Sequence, residues 1–227
     1  MTKNAQPYRI YCSGPLFSPE ERGLMESIAS RLEQAGYRTF LPHRDGLEPH
    51  VLAMANDPRG TLPGLRDVGT LVNRAIFALD IYQVLEGCDA LVFNMNGRVP
   101  DEGGVAETAV AFAGGKPLVI YKDDARTKFL GADNCMVTGL SRTFSKVNGL
   151  DEIVPELARI MEAARAEGPS PYRDNPPPQV RRVLSLGRKV WNVMETFRFF
   201  GEPLEGSRKL VDKIAGLCRK AVEAGQA

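Results

Sequence analysis

Residues 8–41 alternate between the signals of a strand and those of a helix, which limits the chain to a small set of folds. Tyr8 to Ser13 (YRIYCS) favours a strand and runs into Gly14-Pro15, a pair that ends regular structure. Ser18-Pro19-Glu20-Glu21 then offers an N-cap serine, a proline at the first helical position and an acid three residues after the cap. Leu24, Ile28 and Leu32 repeat every four residues, and Gly36 stops the helix. With Tyr37 to Leu41 as the next strand, the stretch reads as a βαβ unit, and such units build parallel sheets.

The alternation continues down the chain. Residues 42–70 are rich in Pro, Gly, Asp and Arg and lack a sustained period, so they read as a long loop with one short helix near Val51 to Ala55. Leu71 to Glu86 has helical spacing at Val72, Ala75, Ile76 and Leu79, with Asp80 inside it and Gly87 ending it. The unbroken apolar run from Ala90 to Phe93 predicts a buried strand over Ala90 to Asn94. A polar loop at 95–102, a small-residue helix from Gly103 to Ala113, a strand over Lys116 to Tyr121 and a helix over Asp151 to Ala166 complete the pattern. This predicts an α/β domain over residues 1–167: three layers around a mostly parallel, flavodoxin- or Rossmann-like sheet, with ligands at the carboxyl ends of its strands. The proline-rich stretch 168–178 is expected to be a linker, and 179–227 a C-terminal helical hairpin broken at Gly201 to Pro203.

The hairpin holds ten Lys and Arg against five Asp and Glu, whereas the whole chain holds 29 against 28, so any charge-based partner must be local. A basic amphipathic hairpin could touch nucleic acid or lipid, but a packing or oligomerisation arm with a solvated basic face is the preferred reading, and nucleic acid is not an expected partner. No apolar run approaches the roughly 20 residues that span a bilayer, and MTKNAQPYRIYCSG lacks the apolar stretch of a secretory signal. A cytoplasmic protein with no membrane partner is expected. Cys12, Cys88, Cys135 and Cys218 are scattered and only His43 and His50 could join them, so reduced thiols are expected and no metal site. Neither GxGxxG nor GxxxxGK[ST] occurs, which argues against a dinucleotide dehydrogenase or an NTPase.

Tyr11, Asp80, Asp101 and Glu107 fall where predicted strands end or the next helices begin. Glu107 belongs to the second turn of the helix opening at Gly103, toward the positive end of its dipole. Gly103 and Gly104 carry no side chains, so a ligand ring could approach the backbone there. On spacing alone, Glu107 reads either as an acid that compensates the helix dipole or as a nucleophile.

IYCSGPLFS at 10–18, the Asp80 to Asn94 segment containing DALVFN, and DEGGVAETAVAFAGGKPLVIY at 101–121 resemble the nucleoside 2-deoxyribosyltransferase family. The resemblance extends over about residues 8–160, and its most specific part is D-x-G-x-x-x-E followed by A-x-A-x-x-x-GKP. It implies that Glu107 is the covalent nucleophile, that Asp101 contacts the deoxyribose, that Tyr11 orients the nucleophile and that Asp80 is the acid beside the leaving base. It also implies base-recognising residues at His43, Arg44 and Asp45; Gly14, Pro15, Phe17, Gly103 and Gly104 are further expected substrate-binding residues. Asn134 resembles the residue that reaches into a neighbouring subunit to bind the sugar 5′-hydroxyl, which implies a homo-oligomer with a shared site.

The implied reaction is a double displacement at the anomeric carbon, with a 2′-deoxynucleoside and a free nucleobase as partners and no metal or organic cofactor. Two other readings stay open. One is an N-glycosidase hydrolysing 2′-deoxynucleosides or nucleoside 5′-monophosphates; the other is a non-enzymatic nucleotide sensor. The Gly14 to Phe17 loop has no Lys or Arg for a phosphate, although Arg22 lies one turn further on, and this favours a nucleoside.

Overall fold

The computed structural model describes residues 7–55, 65–97, 99–124, 133–168, 175–197 and 203–225. Its contacts divide the chain into two compact units, Met1–Leu41 with Val84–Asn175, and Pro42–Gln83 with Pro176–Ala227. The first holds a four-stranded, all-parallel sheet flanked by helices, as the strand and helix alternation predicts. The strands are β1 (Arg9–Ser13), β2 (Arg38–Phe40), β3 (Ala90–Asn94) and β4 (Leu118–Tyr121), in the order β2-β1-β3-β4. Because β1 lies between β2 and β3, the sheet reverses its winding direction there, and the carboxyl ends of β1 and β3 flank the switch point where such sheets bind ligands.

Helix α1 (Pro19–Gln34) starts as its sequence requires: Ser18 accepts from the Glu21 amide, and Glu21 accepts from the Ser18 amide. Strand alternation then sorts the side chains of β1 between two faces. Ile10 and Cys12 enter a core with Met25, Ile28 and Leu32 of α1 and Ile153, Leu157 and Ile160 of a late helix, while Tyr11 and Ser13 face the opposite side.

The second unit is helical. Where a long loop with one short helix near Val51 to Ala55 is expected, the described part of residues 42–70 is largely helical: α2 (Pro42–Asp45) comes first, α3 (Glu48–Ala55) takes in the expected short helix, and α4 (Leu65–Tyr82) begins six residues before the predicted Leu71. A four-residue helix such as α2 is too short to display a helical period, so it leaves no periodic signal in the sequence. A π-helical turn, Gln83–Gly87, extends α4.

In chain order, the remaining helices are α5 (Glu102–Ala113), α6 (Cys135–Thr138), α7 (Ile153–Glu167), α8 (Pro178–Phe197) and α9 (Pro203–Glu223). The last two form the expected hairpin; residues 198–202 at its break, like 169–174 of the expected linker, lie outside the described residues. The hairpin packs within the second unit, α8 against α4 and α9 against α3 and α4. Gly187 permits this, because a Cβ there would lie 2.0 Å from the Ala78 carbonyl oxygen. His50 Nδ1 and Ser207 Oγ, 3.0 Å apart, add a polar tie between α3 and α9.

Candidate active site

At the carboxyl end of β1, two hydroxyl groups converge on one carboxylate. Tyr11 donates from its phenol to Glu107 Oε1 at 2.8 Å, and Ser13 donates from Oγ to Glu107 Oε2 at 2.6 Å. Positions 11 and 13 meet the same residue because side chains two apart on a strand share a face. Both donors are fully buried, and the Tyr11 ring lies against Phe40 with centroids 5.4 Å apart and planes 26° apart. The phenol is therefore aimed by packing as well as by its hydrogen bond.

Helix α5 presents the carboxylate. Asp101 caps it, accepting from the Gly104 amide at 2.6 Å, and Thr108 donates to the Gly104 carbonyl at 2.6 Å. Gly104 cannot carry a side chain, since a Cβ would meet the Phe93 ring at 2.6 Å. Glu107 is the sixth residue of the helix and half-buried. The helix dipole acts mainly within the first turn, so the two hydroxyls outweigh it in holding the charged form.

Gly14 turns the chain out of β1 at φ +152°, where a Cβ would lie 2.8 Å from the Cβ of Asn94 at the end of β3. Pro15 is buried and Phe17 is 84% exposed. The loop between them is fastened by its own helix: Arg22 Nη1 donates to the Leu16 carbonyl at 3.0 Å, and Glu21 accepts from the Phe17 amide at 2.9 Å.

Tyr11, Gly14, Asp101, Gly103, Gly104 and Glu107 thus belong to the sheet unit, and the structure brings the Tyr11 phenol directly onto Glu107. Asp80, half-buried on α4, belongs to the helical unit, as do His43, Arg44 and Asp45 of α2. Arg44 and Asp45 pair with each other at 3.0 Å. Asn134 caps α6, its Oδ1 accepting from the Met136 amide at 2.9 Å, and the adjacent Asp133 lies between Lys122 and Lys146. Ser13 was not among the candidates read from the sequence, although its place two residues beyond Tyr11 on a strand is the signal that would have found it. Among the described residues no group of three or more His, Cys, Asp or Glu side chains is placed to hold a metal ion, and no helix is long and apolar enough to cross a membrane.

The family model described as nucleoside 2-deoxyribosyltransferase matches residues 10–148, more than half of the chain. The chain belongs to the nucleoside 2-deoxyribosyltransferase family. Both hydroxyl donors, Glu107 and every other candidate residue lie inside the matched span. Membership supports an enzyme of the nucleoside deoxyribosyltransferase kind, with deoxynucleosides and nucleobases as its substrate class. No curated protein matches. Among solved structures, the crystal structure of a conserved protein from Enterococcus faecalis V583 is similar at TM-score 0.46 and 20% identity, covering 67% of this chain and 98% of that one. For this deoxyribosyltransferase family member, residues 149–227, with α7 and the hairpin, lie beyond the family match.

Proposed function

We propose that this protein transfers 2-deoxyribose between nucleobases by double displacement through a glycosyl ester on Glu107. The observation that carries the reading is the carboxylate held at both oxygens by Tyr11 and Ser13 at the carboxyl end of β1. Two hydroxyl donors favour an ionised carboxylate and fix its direction, the two requirements of a nucleophile.

In the first step a Glu107 oxygen bonds to C1′ as the C1′–N bond breaks. The departing nitrogen takes the electron pair and a proton from a general acid, the role proposed for Asp80. In the second step a nitrogen of the acceptor base attacks C1′ and returns a proton to Asp80, the ester bond breaks, and Glu107 regains its charge. Both transition states resemble an oxocarbenium ion, which forms more easily without an electron-withdrawing 2′-hydroxyl; this supports a deoxyribose preference. Asp101 commits Oδ2 to the helix cap, so its other oxygen is the one offered to the sugar.

The test is incubation with a 2′-deoxynucleoside in the presence and absence of a second base. Transfer predicts a new deoxynucleoside whose yield follows the acceptor concentration. Free deoxyribose released at the same rate with and without acceptor would replace this reading by hydrolysis.

A further inference from the structure

We infer that Ser13 is a positioning residue that governs how long the glycosyl ester persists, an inference that rests on Glu107 being the nucleophile. The Ser13 hydroxyl has one hydrogen and two acceptors within reach: Glu107 Oε2 at 2.6 Å and the Gly104 carbonyl at 3.4 Å. Its side chain is fully buried, so bulk water does not compete for that hydrogen. While Glu107 is charged, the hydrogen belongs on Oε2, because a bond to a carboxylate is roughly twice as strong as one to a neutral acceptor. Once an ester forms the charge is gone and this preference collapses. The Gly104 carbonyl, 3.4 Å away and already accepting from Thr108 Oγ1 at 2.6 Å, is the other acceptor within reach.

Ser13 therefore stabilises the free carboxylate far more than the ester. Its hydrogen bond strengthens as the C1′–O bond breaks and charge returns to Glu107, which helps the carboxylate depart in the second step. In the first step the same bond stabilises the reactant state and gives no comparable acceleration. A residue with this bias shortens the life of the intermediate, whether the acceptor is a base or water.

The test is rapid-quench kinetics with a 2′-deoxynucleoside and an acceptor base, following glycosyl-enzyme by intact mass for the wild type, S13A and S13C. In S13A the second step should slow about tenfold, the difference between a charge-assisted and a neutral hydrogen bond. The first step should change by less than about threefold, so the labelled fraction of enzyme rises. S13C restores volume without a strong donor and should behave like S13A. Equal slowing of both steps, an unchanged labelled fraction in S13A, or wild-type partitioning in S13C would overturn the inference. Absence of any adduct on wild-type Glu107 during turnover would instead remove the nucleophile assignment on which it rests.

Discussion

The phenol of Tyr11, midway along β1, donates a 2.8 Å hydrogen bond to Glu107, 96 residues further along the chain. The contact depends on a strand that turns alternate side chains to one face and on a helix whose glycine start lets it lie close to that face. Tyr11→Phe keeps the ring on Phe40 and removes only the donor. We expect kcat/KM to fall about tenfold to a hundredfold, the range for one hydrogen bond to a charged group, with little change in Tm. A loss of stability large enough to explain the rate would show that the hydroxyl serves the fold instead.

Glu107→Gln preserves shape and removes the charge. Activity should fall by about a thousandfold or more while thermal stability changes by less than about 1 kcal/mol, because the half-buried residue contributes little to the core. Steady-state rates beside a melting curve check both halves. Retained activity would reject the nucleophile.

Gly104→Ala tests the geometry that brings α5 to the sheet. In an open helix this change would gain up to about 1 kcal/mol from reduced chain entropy. Here the new methyl would lie 2.6 Å from the Phe93 ring and 3.2 Å from Asp101 Oδ2, so overpacking should win and cost about 1–3 kcal/mol by chemical denaturation. A stabilised variant would mean that the helix does not approach the sheet so closely.

Asp133 supplies a pH dependence. Burial pushes its carboxyl up, but hydrogen bonds from Lys146 and Lys122 and their positive charges more than reverse this, leaving it below its ordinary value of 3.8. A depressed folded value means that the stabilisation is complete above the unfolded value and disappears as pH falls through the folded one. Lys122 is only 6% exposed and lies 3.2 Å from Asp133, so Asp133→Asn would leave a buried ammonium without that partner. The expected cost at neutral pH is about 3 kcal/mol, and the difference from wild type should shrink below about pH 4. Urea titrations at pH 7 and pH 3 measure it; a gap that does not narrow in acid would contradict the ion-pair account.

Much of the sheet unit could be read from the chain because its signals are local. The Ser18 to Glu21 cap, the apolar run at Ala90 to Phe93 and the small residues around Gly104 each impose a short-range structure that tertiary packing then kept. The α2 helix leaves no such trace, since one turn of helix has no period to detect, and the part of α3 before Val51 is tied by long-range contacts such as His50 with Ser207. The close packing of α8 on α4 also depends on a long-range condition, a glycine at 187 facing the Ala78 backbone. At the candidate site, the family resemblance points to Tyr11 and Glu107, and the structure brings those two side chains together. For Ser13 the strand alternation shows only that it shares the face of Tyr11; that Glu107 lies across from it depends on how α5 packs there.

Peptide mass mapping of the protein quenched during turnover of a 2′-deoxynucleoside tests whether Glu107 is the nucleophile. A deoxyribosyl adduct is expected on the peptide containing Glu107, absent from Glu107→Gln. Turnover with no adduct there, or with the label on a different side chain, would contradict it.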